Sequence, residues 1–490
     1  MKRRSMKRVS VKKENKTFKT LAVATIAGLS FIGVGQAQAT TLDEVDLSQK
    51  PIDTPILDYL HDNNVQIKDE NGTEVAIPQS SYTMTEVKAN SDGSKPAGDN
   101  IITQYDYDKT TGSLSPLYYE INYQTQFGNP DGDTTLTFGR VEYQQYGYTN
   151  YKWELNPENP TRTITYKYNQ GETIDGSITN DSTSANIARD FVNTDGTLIL
   201  NNENATINNI TGNFIANGLS SSNGKLINNK GHIDNIKGTF AINKTYNAVI
   251  NNNENATINK IEGLFVNNEV ATHSDSVSTI NNAGIIKSIL ADFIQDSNTS
   301  DSYGSFIVNL NTGKIENIIG DFIVQNKELR GIKNYGKINN IKANFIGNTQ
   351  IYNNGTIDKI EGTFSNDKVV PSNKTSDFND NQEAGIINAT SYTTNSTLIK
   401  LILADFIANQ GGGISNIYGG ITDIIGSFIG NSISITTPCY HNQTVHGGAI
   451  YNADTYSSEV SYIANISGTF LNNYVSIKDY GDKIGIGALG

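Results

Sequence analysis

The sequence predicts an all-β protein whose main body is a right-handed parallel β-helix, preceded by a small tyrosine-rich β domain or cap. Three observations predict it. An apolar motif recurs at intervals from residue 207 to residue 470; it pairs β-branched isoleucines with an interior Gly or Ala; and Asn and Gly stand wherever a coil has to turn.

The N-terminus reads as an export signal. Lys2, Arg3, Arg4, Lys7, Arg8, Lys12, Lys13, Lys16 and Lys19 form a basic leader, followed by the apolar run LAVATIAGLSFIGVG and then Ala37-Gln38-Ala39, the A-x-A pattern of a signal peptidase site, so residues 1–39 are expected to be removed after Ala39. A membrane anchor is the weaker reading, since Gly28, Gly33 and Gly35 interrupt a run shorter than the ~20 apolar residues of a span. The leader holds nine of the 37 basic and one of the 50 acidic side chains. The remainder therefore carries 28 against 49, a net charge of −21. A surface of that sign repels phosphate backbones, and only Arg140, Arg162, Arg189 and Arg330 remain as guanidinium groups, which argues against nucleic acid as a partner. One cysteine, Cys439, supplies no disulfide framework.

Residues 40–100 form an acidic, turn-rich leader. Residues 101–185 follow as a tyrosine-rich section, including YDYDKTTGSLSPLYYEINYQTQFG, whose alternation and turn residues (Asn129-Pro130-Asp131-Gly132) predict antiparallel hairpins. Two placements are open: a cap over the first edge of the array, which would otherwise invite strand pairing, or a separate small β domain.

Residues 186–475 form the array. Ten segments fit Ile-x-x-Ile-x-[Gly/Ala]-x-Phe, among them Ile207, Ile210, Gly212 and Phe214; Ile233, Ile236 and Phe240; Ile258, Ile261 and Phe265; Ile315, Ile318 and Phe322; and the units ending at Phe345, Phe428 and Phe470. Phe191 reads as an incomplete first copy. Most spacings run from 19 to 29 residues, the solenoid range, and two of 42 contain Pro371 and Pro438, as expected of insertions pushed into loops. A helical face would also accept positions i, i+3 and i+7. Strands explain more: Ile210, Gly212 and Phe214 fall at period two, and an interior Gly costs a helix ~1 kcal/mol. On this reading Ile207 needs a bend to face inward, and Gly212 makes room for the ring beside it. Upstream islands such as LINNKG (226–231) and IYNNGT (351–356) make about three short strands per coil, with asparagines at the corners that would form amide ladders in register. A leucine-rich repeat is the alternative, but its motif requires Leu where this chain has Gly or Ala.

The phenylalanines also open Phe-x-x-Asn tetrapeptides: FIAN (214–217), FAIN (240–243), FVNN (265–268), FIGN (345–348), FIAN (406–409), FIGN (428–431) and FLNN (470–473); residues 447–450 read GGAI. The array and leader together resemble the FxxN and GGA[ILV] repeats of polymorphic outer-membrane proteins and, more broadly, autotransporter passenger domains with a pectin-lyase-like fold. The resemblance implies export to the cell surface or outer membrane and an adhesive role. The partners it implies are host or neighbouring-cell surface molecules or glycans. It also implies an outer-membrane translocator barrel, missing from this chain, so residues 476–490 are expected to be the end of a fragment.

No chemistry is expected. Cys439, His441 and His446 in PCYHNQTVHGG lack a zinc spacing and read as an exposed loop, so no metal and no cofactor is anticipated. There is no Gly-x-Ser-x-Gly, and His61, His232, His273, His441 and His446 single out no base. Acids that follow the repeat (Glu262, Asp292, Glu316, Asp321, Glu361, Asp405) read as a solvated face. The function expected is therefore a non-enzymatic adhesin or interaction scaffold, a rod of roughly 60 Å at ~4.8 Å per rung, with its contact sites in the insertions near 371–398 and 432–460. A β-helical polysaccharide lyase or hydrolase and a passive surface filament are the alternatives.

Overall fold

The computed structural model describes residues 40–68, 72–98, 100–108, 111–123, 133–145, 148–155, 162–167, 177–218, 224–270, 278–295, 304–325, 329–365, 384–389, 397–435, 444–445, 448–453, 461–477 and 485–486. The leader with Ala37 and Ala39, the Cys439-His441-His446 cluster and most of both long insertions lie outside them.

Two parallel sheets form the solenoid. The long sheet has 12 strands, 11 in its main path from Ala185–Ala188 to Tyr462–Leu471 and Phe191–Val192 beside it, and is made of the Ile-Ile-Phe segments; the short sheet has 11, from Ile178–Asn180 to Ile450–Ala453, and is made of the Asn-containing islands. Each strand pairs with its counterpart one coil away, as in Ile207↔Ile233, Ile210↔Ile236 and Phe214↔Phe240. The array thus starts before residue 186, because Ile178–Asn180 already pairs with Ile199–Asn201. The expected three strands per coil are mainly two, since each Ile-Ile-Phe segment is one strand, such as Thr206–Ile215. A third, short strand occurs in places, as where Ser432–Ile435 pairs with Tyr474–Ile477.

Inward-facing residues make one continuous core. Ile207, Ile210, Phe214, Ile233, Ile236, Phe240, Ile258, Ile261, Phe265, Ile315, Ile318, Phe322, Phe345 and Phe428 are all buried in it, each worth about 1.5–3 kcal/mol of transfer free energy. Ile207 and Ile210 share that side despite their odd spacing: backbone pairing passes from Ile207↔Ile233 to Asn209↔Asn235, and the alternation shifts phase at Asn208. The rings from Phe191 to Phe470 stack with centroids 4.6–5.0 Å apart and nearly parallel planes. That is the strand repeat itself, so the ladder sets the ring spacing.

Two sequence expectations need correction here. Phe470 stacks on Phe428 but is 48% exposed, because no further ring covers it among the described residues. Gly212 does not chiefly make room for its neighbouring ring. A Cβ there would lie 1.8 Å from the Arg189 carbonyl oxygen of the preceding coil, and at Gly238, Gly320 and Gly468 it would likewise meet the previous coil's carbonyl at 2.0, 2.0 and 1.7 Å. The small residue lets one coil's backbone approach the next.

The described residues between 40 and 123 form a strap along the flank of the long sheet. Two 3-10 turns, the helix Ile56–Asp62 and a three-stranded sheet lead into a second sheet in which Ser113–Tyr123 pairs with both Tyr82–Val87 and Ile101–Asp108. That sheet crosses the expected boundary at residue 100, and the helix falls in a stretch read as turns. Nor is the described strap a cap over the first edge. Val45, Ile56, Leu57, Leu60, Val65 and Ile77 pack on Leu290 and Ile319 in mid-array, and Tyr82, Ile102, Tyr119, Ile121 and Tyr123 pack on Ile215, Leu264, Ile294, Ile323 and Ile346. Strands between Asp133 and Lys167 form a further antiparallel sheet.

Candidate functional site

The two edges of the coil are built differently. At the turn from the short to the long sheet, eleven asparagines stack head to tail: Asn180, Asn201, Asn229, Asn252, Asn282, Asn309, Asn334, Asn353, Asn388, Asn416 and Asn452, each donating its side-chain amide to the next carbonyl at 2.6–2.8 Å. Asn suits this place because its side chain is at once donor and acceptor and every coil repeats it. The ladder holds this corner short in most coils.

At the other corner the Phe-x-x-Asn tetrapeptide turns the chain. Its third residue is left-handed throughout: Ala216, Ile242, Asn267, Gly347, Ala408, Gly430 and Asn472 have φ between +48° and +76°. The asparagine that follows caps the turn in two runs, Asn217 to Asn243 to Asn268 and Asn409 to Asn431 to Asn473, at 2.7–2.9 Å. Beyond it the connection varies in length, from 348–350 before Ile351 to 430–449 before Ile450.

The outward face of the long sheet holds the charged groups, and most are not solvated as expected. Glu262 is buried and bridged by Lys237 (2.7 Å) and Lys260 (3.2 Å); Glu361 is bridged by Lys342 (3.0 Å) and Lys359 (3.2 Å); Glu316 alone of these stays open, beside Lys314. Asp292 and Asp321 have no exposed surface. The aspartates just before Phe191, Phe293 and Phe406 share a backbone role. There the pairing lapses for two residues and resumes in the same register, from Ala188↔Thr211 to Phe191↔Phe214, from Leu290↔Ile319 to Phe293↔Phe322, and from Leu403↔Ile425 to Phe406↔Phe428. Asp190, Asp292 and Asp405 then accept the N–H of Asn213, Asp321 and Ser427 at 2.7, 3.0 and 2.8 Å, replacing ladder bonds that the strands leave unmade.

Asp292 and Asp321 also anchor the strap. Ser80 Oγ donates to Asp292 (2.6 Å), and Tyr82 OH and the Ile56 N–H donate to Asp321 (2.7 and 3.0 Å); Lys342 Nζ donates to the carbonyls of Leu42 and Val45 at 2.8 and 2.9 Å. Burial, reinforced by the Asp321 charge, raises the Asp292 carboxyl to about 8. Burial and then the Asp321 charge push the Tyr82 hydroxyl well above its ordinary value, so it stays a donor. Sequence reasoning missed these anchors. The available signal was Leu290 and Ile319, apolar at an outward position that elsewhere carries Thr211, Lys237, Glu262 or Lys342.

Reactive constellations are not assembled in the described part. His232 is paired with Asp234, with Asn259 beside it, and His61 lies 2.7 Å from the Ile77 carbonyl. Neither has a hydroxyl or thiol poised as a nucleophile among these partners. Among the described residues no three His, Cys, Asp or Glu side chains converge as metal ligands. No family model matches the chain, and no curated protein or solved structure matches it either.

Proposed function

We propose that this is an exported, autotransporter-type passenger that acts as a surface-interaction scaffold or adhesin, displaying variable connections along one edge of a rigid rod. The observation that carries the reading is the asymmetry of the two corners. One is locked by the Asn ladder, while the opposite corner, closed by a Phe-x-x-Asn turn in seven coils, releases chain of varied length before the short sheet resumes. Insertions there, such as 366–383 and 436–447, leave the core register of the flanking coils intact, since Ile357↔Ile399 and Ile421↔Ile463 still pair. Such a scaffold lets contact residues vary without disturbing the core. The partners that suit it are surface molecules or glycans of a host or neighbouring cell. Export rests on the basic, apolar leader of residues 1–39.

Saturable binding of the chain to cells, matrix or immobilised glycans tests the reading. Replacing 371–383 and 437–446 by short Asn-Gly turns should abolish that binding and leave the melting transition in place. Reproducible cleavage of a polysaccharide would favour a lyase or hydrolase instead, and absence of saturable binding would leave a passive filament.

A further inference from the structure

Asp292 and Asp321 lie one coil apart beneath the strap, both fully buried. The strap meets them with three donors, Ser80 Oγ, Tyr82 OH and the Ile56 N–H, none of them a cation. The other groups facing the pair do little to neutralise it. Asp58, on the helix Ile56–Asp62, adds a third carboxylate and accepts the Ser80 N–H at 2.8 Å. Lys50, on the strap's first loop, acts electrostatically on Asp321, but its ammonium is bonded to the carbonyls of Pro51 and Thr54 at 2.9 and 2.7 Å. From the next coil comes neutral Asn344, donating to Asp321 at 2.9 Å. Three carboxylates thus share one ammonium in a dry interface, where neighbouring like charges do not both ionise.

We propose that the strap is a proton-operated latch: it lies on the flank while the Asp292–Asp321 pair carries a proton, and lifts off when both are ionised. Lifting uncovers the apolar strip that includes Leu290, Ile294, Ile319, Ile323 and Ile346. The solenoid itself does not depend on the event, because its ring stack lies on the other side of the sheet and its asparagine ladder at the corner. The raised titration of Asp292 is consistent with a proton held there at neutral pH. Its sign follows. The docked state binds this proton more tightly than the undocked one, so the contribution to docking is complete below the ordinary carboxylate range and disappears as pH rises through about 8.

Hydrogen exchange on the full chain, corrected for intrinsic rates, tests this between pH 6 and 9.5. Protection of Tyr82–Val87 and Ile101–Asp108 should fall by up to about tenfold per pH unit between pH 6 and about 8 and level off above it, one proton being linked to docking, while Thr206–Ile215 stays protected. Asp292→Asn should stay docked across the range. Asp321→Asn, which removes the like charge that helps raise Asp292 and keeps the Asp292 carboxyl, should bring the end of the loss to lower pH and shrink its total. Equal strap protection at pH 6 and 9.5, loss of strap and solenoid together, or loss at the wild-type pH in both variants would overturn the proposal. Should either variant fail to dock at pH 6, the wild-type profile and the other variant still decide.

Discussion

Asn229 donates one side-chain amide to three acceptors, the carbonyl of Asn252 one coil on at 2.8 Å and the backbone carbonyls of Gly231 and Thr257 at 3.2 and 3.0 Å, while its own carbonyl receives Asn201. A single residue thus closes its own corner and ties it to both neighbours, in the dry interior of the turn.

Removing it should cost more than one hydrogen bond. Asn229→Ala leaves the Asn201 amide and several buried carbonyls short of a partner, and at 1–3 kcal/mol for such groups the loss should be about 2–4 kcal/mol. Glu203→Ala, on the exposed surface of a neighbouring turn, should stay within about 0.5 kcal/mol. Denaturant melts of both variants check the contrast.

The ring column makes a graded prediction. Phe322→Ala, between rings at 4.8 and 4.9 Å, opens a closed cavity and should destabilise by about 3–5 kcal/mol. Phe470→Ala, half exposed already, should cost under about 1.5 kcal/mol because water can fill the site.

Glycine inside the long strand should resist even a methyl group. At Gly320, φ is +144° and a Cβ would sit 2.0 Å from the Ala291 carbonyl oxygen, so Gly320→Ala should lose more than about 2 kcal/mol. Gly196 has φ +93° with open space around it, and Gly196→Ala should show the conformational cost alone, about 1 kcal/mol. Equal losses would mean that coil-to-coil approach is not what selects glycine.

Ala408 is left-handed at φ +54°. An L-residue there costs roughly 1–2 kcal/mol, offset in Gly by about 0.5–1 kcal/mol of extra unfolded-chain entropy, so Ala408→Gly should raise stability by up to about 1 kcal/mol. A lower melting temperature would count against that turn.

Much of this architecture was legible in the sequence because coils repeat. Ile207, Ile210 and Phe214 announce an inward face through their spacing, and Asn229 or Asn353 announces a corner through recurrence. The strap was not legible, since a contact such as Tyr82 to Asp321 joins residues far apart in sequence and belongs to no period. The carboxylates misled for the same reason: Asp292 follows the repeat like a surface residue, and only the segment laid over it makes it buried. Three strands per coil became two because the bend at Asn208 is absorbed without ending the strand.

The coil register is the claim on which the rest depends, and paired cysteines test it directly in a Cys439→Ser background. Asn209 pairs with Asn235, and Thr211 with Lys237, on the outward face of adjacent coils. Asn209→Cys with Asn235→Cys should close under mild oxidation without lowering the melting temperature, and Asn209→Cys with Lys237→Cys should stay reduced. Preferential closure of the second pair, or of neither, would contradict the stacked register.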